Sequence, residues 1–192
     1  MSHVPVDALF TPLGIAVLTV SDTRGFDEDG SGDLLVEHLS ESGHILVERR
    51  IVSDDIYQVR AVVSEWIART DVHAILVNGG TGFTARDTTP EALIPLFDKA
   101  IEGYGELFRH YSLKTIGTAT IQSRAVAGVA NRTMMFAMPG SPKACALAWD
   151  KIIALQLDSR TRPCNFAAMV LPSATPCSGR QKATSSNEVE RL

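Results

Sequence analysis

This chain of 192 residues has few cysteines, few aromatic residues and no excess of basic charge. Its three cysteines, Cys145, Cys164 and Cys177, are odd in number and show no CxxC spacing. That pattern argues against a disulfide framework or a zinc site and favours reduced thiols in a cytosol. The formal net charge of −4 argues against a surface that binds nucleic acid or an anionic membrane. We therefore expect a cytoplasmic protein with no nucleic-acid or membrane partner.

Long apolar runs are also lacking, since no stretch of about 18 apolar residues is present to span a bilayer. The first residues show neither the basic nor the apolar segment of a secretory signal, so we expect none. What the chain does have is an ordinary globular composition, with 45% hydrophobic and 21% charged residues. Its length predicts one domain, or two at most.

Composition divides the chain into three parts. Residues 171–192 are rich in Ser, Thr, Pro and charge and have few large apolar side chains, which predicts a disordered tail. Residues 1–11 are predicted to form a flexible N-terminal arm. Residues 12–170 remain as the single folded domain.

Strand and helix patterns alternate through the first half of this domain. Two short apolar runs, Gly14–Val20 and Val72–Val77, predict buried strands, and Ile45–Val52 suits a further strand between them. A helix with Gly43 as its C′ residue lies between Gly14–Val20 and Ile45–Val52. A second helix, from Ile56 to Ile67, has apolar residues on one face and either Asp54 or Asp55 as its N-cap. This order implies a parallel sheet with helices on both faces.

The second half adds an antiparallel element. The segments 125–130 and 133–138 flank Asn131-Arg132 and predict a hairpin. Ser141-Pro142 then predicts the N-cap and first residue of a helix. Its apolar stripe consists of Cys145, Trp149, Ile152 and Ile153. The predicted fold class is α/β, a three-layer sandwich with a mostly parallel sheet and one antiparallel element.

Polar and glycine-rich loops follow the predicted strands, where open parallel sheets bind ligands. They contain Ser21 and Asp22, then Asp54, then Gly79-Gly80-Thr81-Gly82, and finally Pro139-Gly140-Ser141 with Lys143. Three glycines in four residues let backbone N–H groups approach an anion closely. The alternative is a tight turn that merely needs positive φ. Neither a Walker loop nor a GxGxxG motif is present.

Charged residues near the glycine loop have two interpretations each. Asp87 could hold Mg²⁺ beside a phosphate, or it could cap a helix or pair with Arg86. Asp54 could share that metal or simply cap the second helix. Arg124 and Lys143 could bind phosphates, or they could be ordinary surface bases. Without a protein nucleophile, such an anion pocket suits phosphoryl or nucleotidyl transfer.

Five segments together carry a resemblance to a known family: LTVSDTRG, VNGGTGFTARDTTPEAL, EGYGELFR, IQSRAVAGV and FAMPGSPKA. Over Pro12 to Phe166 the chain resembles the MoaB/MogA family of molybdenum cofactor biosynthesis proteins, which is related to the G domains of gephyrin and of the plant Cnx1 protein. The segment TRPCNF, at Thr161–Phe166, resembles the MoaB branch in particular.

This resemblance implies a molybdopterin-binding fold that assembles as a trimer or hexamer. Active relatives use Mg²⁺ and ATP to adenylylate molybdopterin, with no stably bound prosthetic group. Asp54 and Asp87 match the family's essential aspartates, with Asp87 as the Mg²⁺ ligand and Asp54 as a further candidate, although Ser53 replaces a frequent proline. The matched pterin- and nucleotide-binding positions are Ser21, Asp22, Gly79, Gly80, Thr81, Gly82, Glu106, Ser123, Arg124, Pro139, Gly140, Ser141 and Lys143. The alternative function is a non-catalytic molybdopterin-binding or carrier module.

Overall fold

The structure, a computed structural model, describes residues 9–171, so most of the predicted arm and tail, with Cys177, lies outside the described residues. Its centre is a sheet of six strands in the order β2-β1-β3-β6-β5-β4. The strands are β1 (Gly14–Val20), β2 (Ile45–Val52), β3 (Ala74–Asn78), β4 (Lys99–Ala100), β5 (Val126–Ala130) and β6 (Thr133–Met138). The strands β1, β2, β3 and β6 are parallel, whereas β5 pairs antiparallel with both β6 and β4.

Helices cover both faces of this sheet. They are α1 (Gly30–Glu41), α2 (Ile56–Ile67), α3 (Thr89–Leu93), α4 (Glu102–Ile116), α5 (Pro142–Ala148), α6 (Ala154–Leu157) and α7 (Ala167–Val170). Single turns of 3₁₀-helix occur at Phe26–Glu28 and Ile94–Leu96, and a longer 3₁₀ segment spans Gly117–Gln122. A π-helical turn, Trp149–Ile153, joins α5 to α6. The predicted α/β fold class, with one antiparallel element in a mostly parallel sheet, is confirmed.

Two apolar cores, one on each face, explain why β1 reads as a continuous apolar run. Ile15 and Val17 belong to the core formed with α1, α4 and α5, whereas Ala16 and Leu18 belong to the core formed with α2 and α3. All seven residues of β1 are buried. A strand that packs on both faces has no position for a solvated side chain, so its sequence loses the alternation of a half-exposed strand.

Most predicted boundaries agree with the structure, and the third strand is the main exception. It begins at Ala74 and ends at Asn78, whereas the sequence predicted Val72–Val77. The carbonyl of Val72 accepts a hydrogen bond from the side-chain hydroxyl of Thr133, the first residue of β6. Asn78 still pairs in register with both neighbouring strands. A polar final residue therefore stands inside the ladder, directly before the glycine loop.

The second helix resolves the choice between two adjacent aspartates. Asp55 is the N-cap of α2, because its carboxylate accepts hydrogen bonds from the N–H groups of Tyr57 and Gln58, both at 2.9 Å. Asp54 therefore does not cap this helix. Capping by the second aspartate of the pair leaves the first one to reach another loop.

Candidate functional site

The topology gathers the predicted loops at one edge of the sheet, which we call the carboxyl edge. The parallel strands β1, β2, β3 and β6 all end there. Because β5 runs the other way, the residues before it, Ser123 and Arg124, arrive at the same edge. The chain passes from β1 to β2 on one side and returns to β3 on the other, so a topological switch point lies between β1 and β3. Open α/β sheets bind ligands at such a point.

The glycine loop occupies this switch point and adopts the predicted positive φ. Gly79 has φ +100° and Gly80 has φ +59°. A Cβ atom on Gly79 would lie 2.2 Å from the carbonyl oxygen of Val20, and one on Gly80 would lie 2.8 Å from Asp54 Oδ2. Among the described residues, no acceptor binds the N–H groups of Gly80 and Thr81. The loop thus combines a tight turn with free donors, which suit an anion.

Asp54 holds the chain segment that follows this loop. Its Oδ1 atom accepts hydrogen bonds from the N–H of Thr88 at 3.1 Å and from the Thr88 hydroxyl at 3.0 Å. Thr88 is the residue before α3. The Oδ2 atom lies beside Gly80. Asp54 therefore spans from the end of β2 to the glycine loop with one carboxylate oxygen still available to a cation.

Asp87 is fixed in the same way, by the residue three positions before it. Its Oδ2 atom accepts hydrogen bonds from the N–H of Thr84 at 2.8 Å and from the Thr84 hydroxyl at 2.6 Å. Partial burial alone would raise the pKa of Asp87, but the hydrogen bonds from Thr84 and from the N–H of Gly82, with Arg124 nearby, lower this pKa below its usual value. The group is a carboxylate at neutral pH, as a metal ligand must be.

Arg124 binds the glycine loop from the other side. Its Nε donates to the carbonyl of Gly82 and its Nη2 to the carbonyl of Asp87, both at 2.7 Å. Its Nη1 is paired with the carboxylate of Glu91, and its guanidinium lies 5.2 Å from the ring centroid of Phe83. These contacts hold the loop in position. They occupy Nε and both Nη atoms of Arg124, the group that the sequence predicted as a candidate to bind a phosphate.

Arg86 pairs with Asp22 and not with its neighbour Asp87. The Arg86 Nε donates to Asp22 Oδ2 at 3.0 Å, while Asp22 Oδ1 accepts from the N–H of Asp54 at 3.1 Å. The hydrogen bond from Arg86, with the one from Asp54, lowers the pKa of Asp22. Three loops, those after β1, β2 and β3, are thereby joined at the surface.

The loop after β6 closes the other side of the switch point. The carbonyl of Gly140 accepts from Arg24 Nη1 at 2.9 Å and from the Ser31 hydroxyl at 3.0 Å. A Cβ atom on Gly140 would lie 3.0 Å from the Cα atom of Gly79. Ser141 is the N-cap of α5, as predicted. Lys143, in the first turn of this helix, is exposed.

The remaining predicted residues line two cavities beside the glycine loop. One, of about 530 Å³, includes Glu106, Ser123 and Arg124 in its wall, together with Arg109. The other, of about 280 Å³, is mostly apolar; its polar wall includes Ser123, Ser141 and Lys143. Arg124 connects the first cavity to the glycine loop, and Pro139 and Ser141 connect the second to the loop after β6.

A magnesium ion fits this arrangement only together with a phosphate. Within residues 9–171, no group of three or more His, Cys, Asp or Glu side chains could hold a metal ion. Mg²⁺ commonly takes one or two carboxylates and completes its shell with water and substrate phosphate oxygens. Asp54 and Asp87, both packed against the Gly80–Gly82 turn, are two such carboxylates.

Sequence reasoning missed the residues that fix the two aspartates. Thr84 and Thr88 were not singled out, and Arg86 was considered only as a partner of Asp87. One signal was present, because Thr84-Ala85-Arg86-Asp87 has the Thr-x-x-Asp spacing of a capping box, in which the fourth residue accepts from the first N–H. The pairing of Arg86 with Asp22 spans 64 residues, and no local pattern indicates it.

A family model described as "probable molybdopterin binding domain" matches residues 16–159. Molybdenum cofactor biosynthesis protein B of Escherichia coli strain K12 is 57% identical over 166 residues, which are 86% of this chain and 96% of that protein. The protein of the same name from Bacillus subtilis is 44% identical over 142 residues, covering 73% and 84% of the two chains. In the described part of the chain, no helix is long and apolar enough to cross a membrane.

Solved structures with a similar fold include proteins of the same or a related name. A crystal structure of molybdenum cofactor biosynthesis protein B matches with a TM-score of 0.75 and 43% identity, covering 77% of this chain and 92% of that one. The tungsten cofactor synthesizing protein MoaB of Pyrococcus furiosus matches with a TM-score of 0.68 and 37% identity, covering 73% and 90%.

Proposed function

Since this chain belongs to the molybdopterin-binding family of molybdenum cofactor biosynthesis proteins, we propose that it adenylylates molybdopterin with Mg-ATP. The products are adenylyl-molybdopterin and pyrophosphate. One observation carries the proposal: the carboxylates of Asp54 and Asp87 both pack against a glycine turn with free N–H donors at the switch point of the sheet. Carboxylates beside an anion-binding turn require a cation between them and a phosphate.

In the proposed reaction, an oxygen of the molybdopterin phosphate forms a bond to the α-phosphorus of ATP while the bond to pyrophosphate breaks. The attacking phosphate is already anionic, so no side chain must remove a proton. The chain's task is to hold two polyanions in line. The N–H groups of Gly80 and Thr81 donate to phosphate oxygens, and Lys143 adds a positive charge. Asp87, with Asp54, would hold a Mg²⁺ ion, which would neutralise the charge of the leaving pyrophosphate.

We place the pterin ring in the cavity of about 530 Å³ beside Arg124. Its apolar wall suits a flat ring, and the Glu106 carboxylate can accept hydrogen bonds from ring N–H groups. Ser123 lies in the wall of both cavities, between the pterin and the glycine turn. The phosphate of molybdopterin would then reach the turn past Arg124.

We further propose that the protein acts in the cytoplasm as a trimer or hexamer. Exposed apolar side chains on and after α4 support an assembly: Leu107, Leu113, Ile116 and Ile121. Sedimentation velocity distinguishes these states from a monomer.

The second candidate function is a molybdopterin-binding module without turnover. It is favoured by the hydrogen bonds of the two aspartates, because each carboxylate already holds a threonine of the loop after β3. In such a module, Asp54 and Asp87 would only shape the pocket. A folded pocket does not by itself ensure a reaction.

Incubation with molybdopterin, Mg²⁺ and labelled ATP separates the two functions. We expect the wild-type protein to form adenylyl-molybdopterin, and Asp87→Asn to lower kcat by at least about 100-fold, since the amide is a poor ligand for Mg²⁺. Asp55→Asn is the matched control, because asparagine caps a helix as well as aspartate does. It should retain the wild-type rate.

Three results are decisive. Tight binding of molybdopterin by the wild-type protein without any product would establish the module. A wild-type rate in Asp87→Asn would show that the metal role assigned to Asp87 is wrong. An equal loss of rate in Asp55→Asn would trace the effect to the fold of this edge.

A further inference from the structure

Beneath the carboxyl edge lies a chain of polar side chains that the proposed reaction does not use. Asn78, at the end of β3, donates from Nδ2 to the hydroxyl oxygen of Thr19 in β1 at 2.8 Å. The Thr19 hydroxyl donates to Asp29 Oδ2 at 2.6 Å, and Arg49 Nη2 donates to the same oxygen at 2.8 Å. Asn78, Thr19 and Asp29 are each fully buried.

The direction of these hydrogen bonds follows from the carboxylate. An ionised Asp29, paired with Arg49, can only accept, so the Thr19 hydroxyl must donate to it. The hydroxyl oxygen then accepts from Asn78, which must present its NH₂ group to Thr19. The Asn78 Oδ1 atom consequently faces away and has no partner among the described residues. The carboxylate of Asp29 therefore orients Asn78 through Thr19. The carbonyl of Leu18, 3.4 Å from the same Nδ2 atom of Asn78, supports this orientation.

Both ends of this chain lead into the site. Asn78 directly precedes Gly79, and Thr19 and Asn78 are register partners in the sheet. At the other end, Asp29 is the N-cap of α1 and accepts from the N–H of Gly32 at 3.0 Å. Ser31, the residue before Gly32, donates from its hydroxyl to the carbonyl of Gly140.

The surrounding backbone is adapted to this buried charge. A Cβ atom on Gly32 would lie 2.1 Å from Asp29 Oδ2 and 2.7 Å from Arg49 Nη2. Only glycine at this position leaves room for the ion pair. The arrangement also leaves Asn78 Oδ1 and Arg49 Nε without partners, which is unfavourable for stability. A simple core would place an aliphatic side chain at position 19, as it does at positions 15 and 17.

We propose that Asn78, Thr19 and Asp29 form the positioning network of the site, which orders the glycine loop after β3 and the loop of Gly140 relative to each other. These residues are positioning residues, since none of them lies on the surface that a substrate touches. The inference rests on the proposed function for what the loops bind, but loop order itself can be measured without a ligand.

Thr19→Val tests the network, because valine keeps the branched shape and the strand preference of threonine but lacks the hydroxyl. Two N–H groups report on the glycine loop by hydrogen exchange. The N–H of Gly79 donates to the carbonyl of Met138, and that of Thr89, at the start of α3, donates to the carbonyl of Gly80. In Thr19→Val we expect both to exchange at least about tenfold faster relative to the amide of Leu76, in the middle of β3. Thr19→Ser, which restores the hydroxyl, should return both rates towards the wild type.

Val17→Ala is the matched control, because Val17 is buried in the same strand and on the same face but lies outside the network. It lowers global stability and should accelerate loop and strand amides together. The proposal is overturned if Thr19→Val leaves the ratio of loop to strand exchange unchanged, or if Val17→Ala changes that ratio equally.

Titration with Mg-ATP tests whether the network affects ligand binding. We expect the Kd to rise about tenfold in Thr19→Val and to stay near the wild-type value in Thr19→Ser and Val17→Ala. If the wild-type protein does not bind Mg-ATP, the proposed function fails, while the exchange experiment still decides on the network. Faster loop exchange with unchanged affinity would show that the network stabilises the fold without positioning the site, and would contradict the inference.

Discussion

The two edges of the sheet satisfy their backbone N–H groups in different ways. At the carboxyl edge, the carboxylates of Asp54 and Asp87 accept from the loop residues Thr88 and Thr84. At the opposite edge, the amino edge, two imidazoles do the same for the residue before β1 and for its first residue. The N–H of Leu13 donates to His44 Nδ1 at 3.2 Å, and that of Gly14 to His73 Nδ1 at 2.9 Å.

This difference shows where the fold places charge. A backbone N–H that leaves the ladder of the sheet needs another acceptor, and both edges supply one. Neutral imidazoles serve at the amino edge, where His44 is buried beside Phe10 and Trp149. Carboxylates serve at the carboxyl edge, where solvent and a cation can reach them. In a protein with a net charge of −4, the proposed anionic substrates would be bound by the N–H groups of the glycine loop and a cation held by these carboxylates, because the overall field repels them.

The largest expected effect comes from removing a glycine at the carboxyl edge. Gly79→Ala should lower the free energy of unfolding by more than about 3 kcal/mol, because it combines a left-handed φ with a Cβ 2.2 Å from a backbone carbonyl. Gly43→Ala, beside the amino edge, should cost only about 1 kcal/mol, since there the new Cβ meets the ring of Phe10 at 3.0 Å, which can move. Urea denaturation measures both, and equal losses would contradict the comparison.

An intermediate effect is expected from the guanidinium groups. Arg124→Lys should lower the free energy of unfolding by about 2–3 kcal/mol, because one ammonium cannot replace bonds to two carbonyls and a carboxylate. Arg132→Lys is the counterpart at the amino edge, where the guanidinium makes one hydrogen bond within residues 9–171, to the carbonyl of Val170 at 3.3 Å. We expect a loss below about 1 kcal/mol there. Thermal unfolding of the two variants checks the order, which a larger loss in Arg132→Lys would reverse.

The smallest effect per residue is expected in the pH dependence of the free energy of unfolding, which differs between the two edges of the sheet. Burial lowers the pKa of His44, and also that of His73, below the ordinary value of 6.5. Nearby charges modify these pKa values. Asp158 raises the pKa of His44 in part. At His73, Asp71 raises the pKa and Arg132 lowers it further. As the pH falls, each histidine therefore takes up its proton at a higher pH in the unfolded chain than in the folded protein. The contribution of the two histidines to the free energy of unfolding is complete above pH 6.5 and is lost as the pH drops below that value. The slope is at most about 1.4 kcal/mol per pH unit for each histidine.

The carboxyl edge should respond only in stronger acid. The pKa values of Asp22 and Asp87 are lowered from 3.8, so their contribution to stability is lost as the pH falls below that value. Urea denaturation between pH 7 and pH 3 should show two separate declines. The double variant His44→Asn/His73→Asn, which keeps an acceptor at each position, should lose the first decline and keep the second. An unchanged slope between pH 6.5 and pH 5 in this variant would refute the role of the imidazoles.

The fold was predictable wherever packing leaves a local pattern. The bounds of β1 and α2 follow from continuous or helically spaced apolar residues, and the structure confirms them together with the predicted bounds of β2. The two-residue strand β4 has no periodicity, so the sequence did not predict it. The π-helical turn at Trp149 was also missed, because its apolar stripe fits an ordinary α-helix.

The site was predictable as a place but not as a set of contacts. Parallel strands bring their carboxyl ends together, so the convergence of Asp22, Asp54 and the glycine loop followed from the strand order. Which groups they bind depends on tertiary contacts, such as that of Arg124 with Gly82, 42 residues apart. The buried Thr19 and Asp29 were not predicted at all, since Thr19 stands within an apolar run and Asp29 within a polar loop.

The convergence of loops from Ser21 to Lys143 at one edge has a thermodynamic consequence. No fragment of the chain contains the pocket, so a ligand there binds the folded domain and not the unfolded chain. Occupancy is then linked to folding: a ligand at about 100 times its Kd adds about 2.7 kcal/mol to the free energy of unfolding. That gain is shared by the whole cooperative unit, so a molecule bound at the carboxyl edge also protects the histidine-bound amino edge from acid.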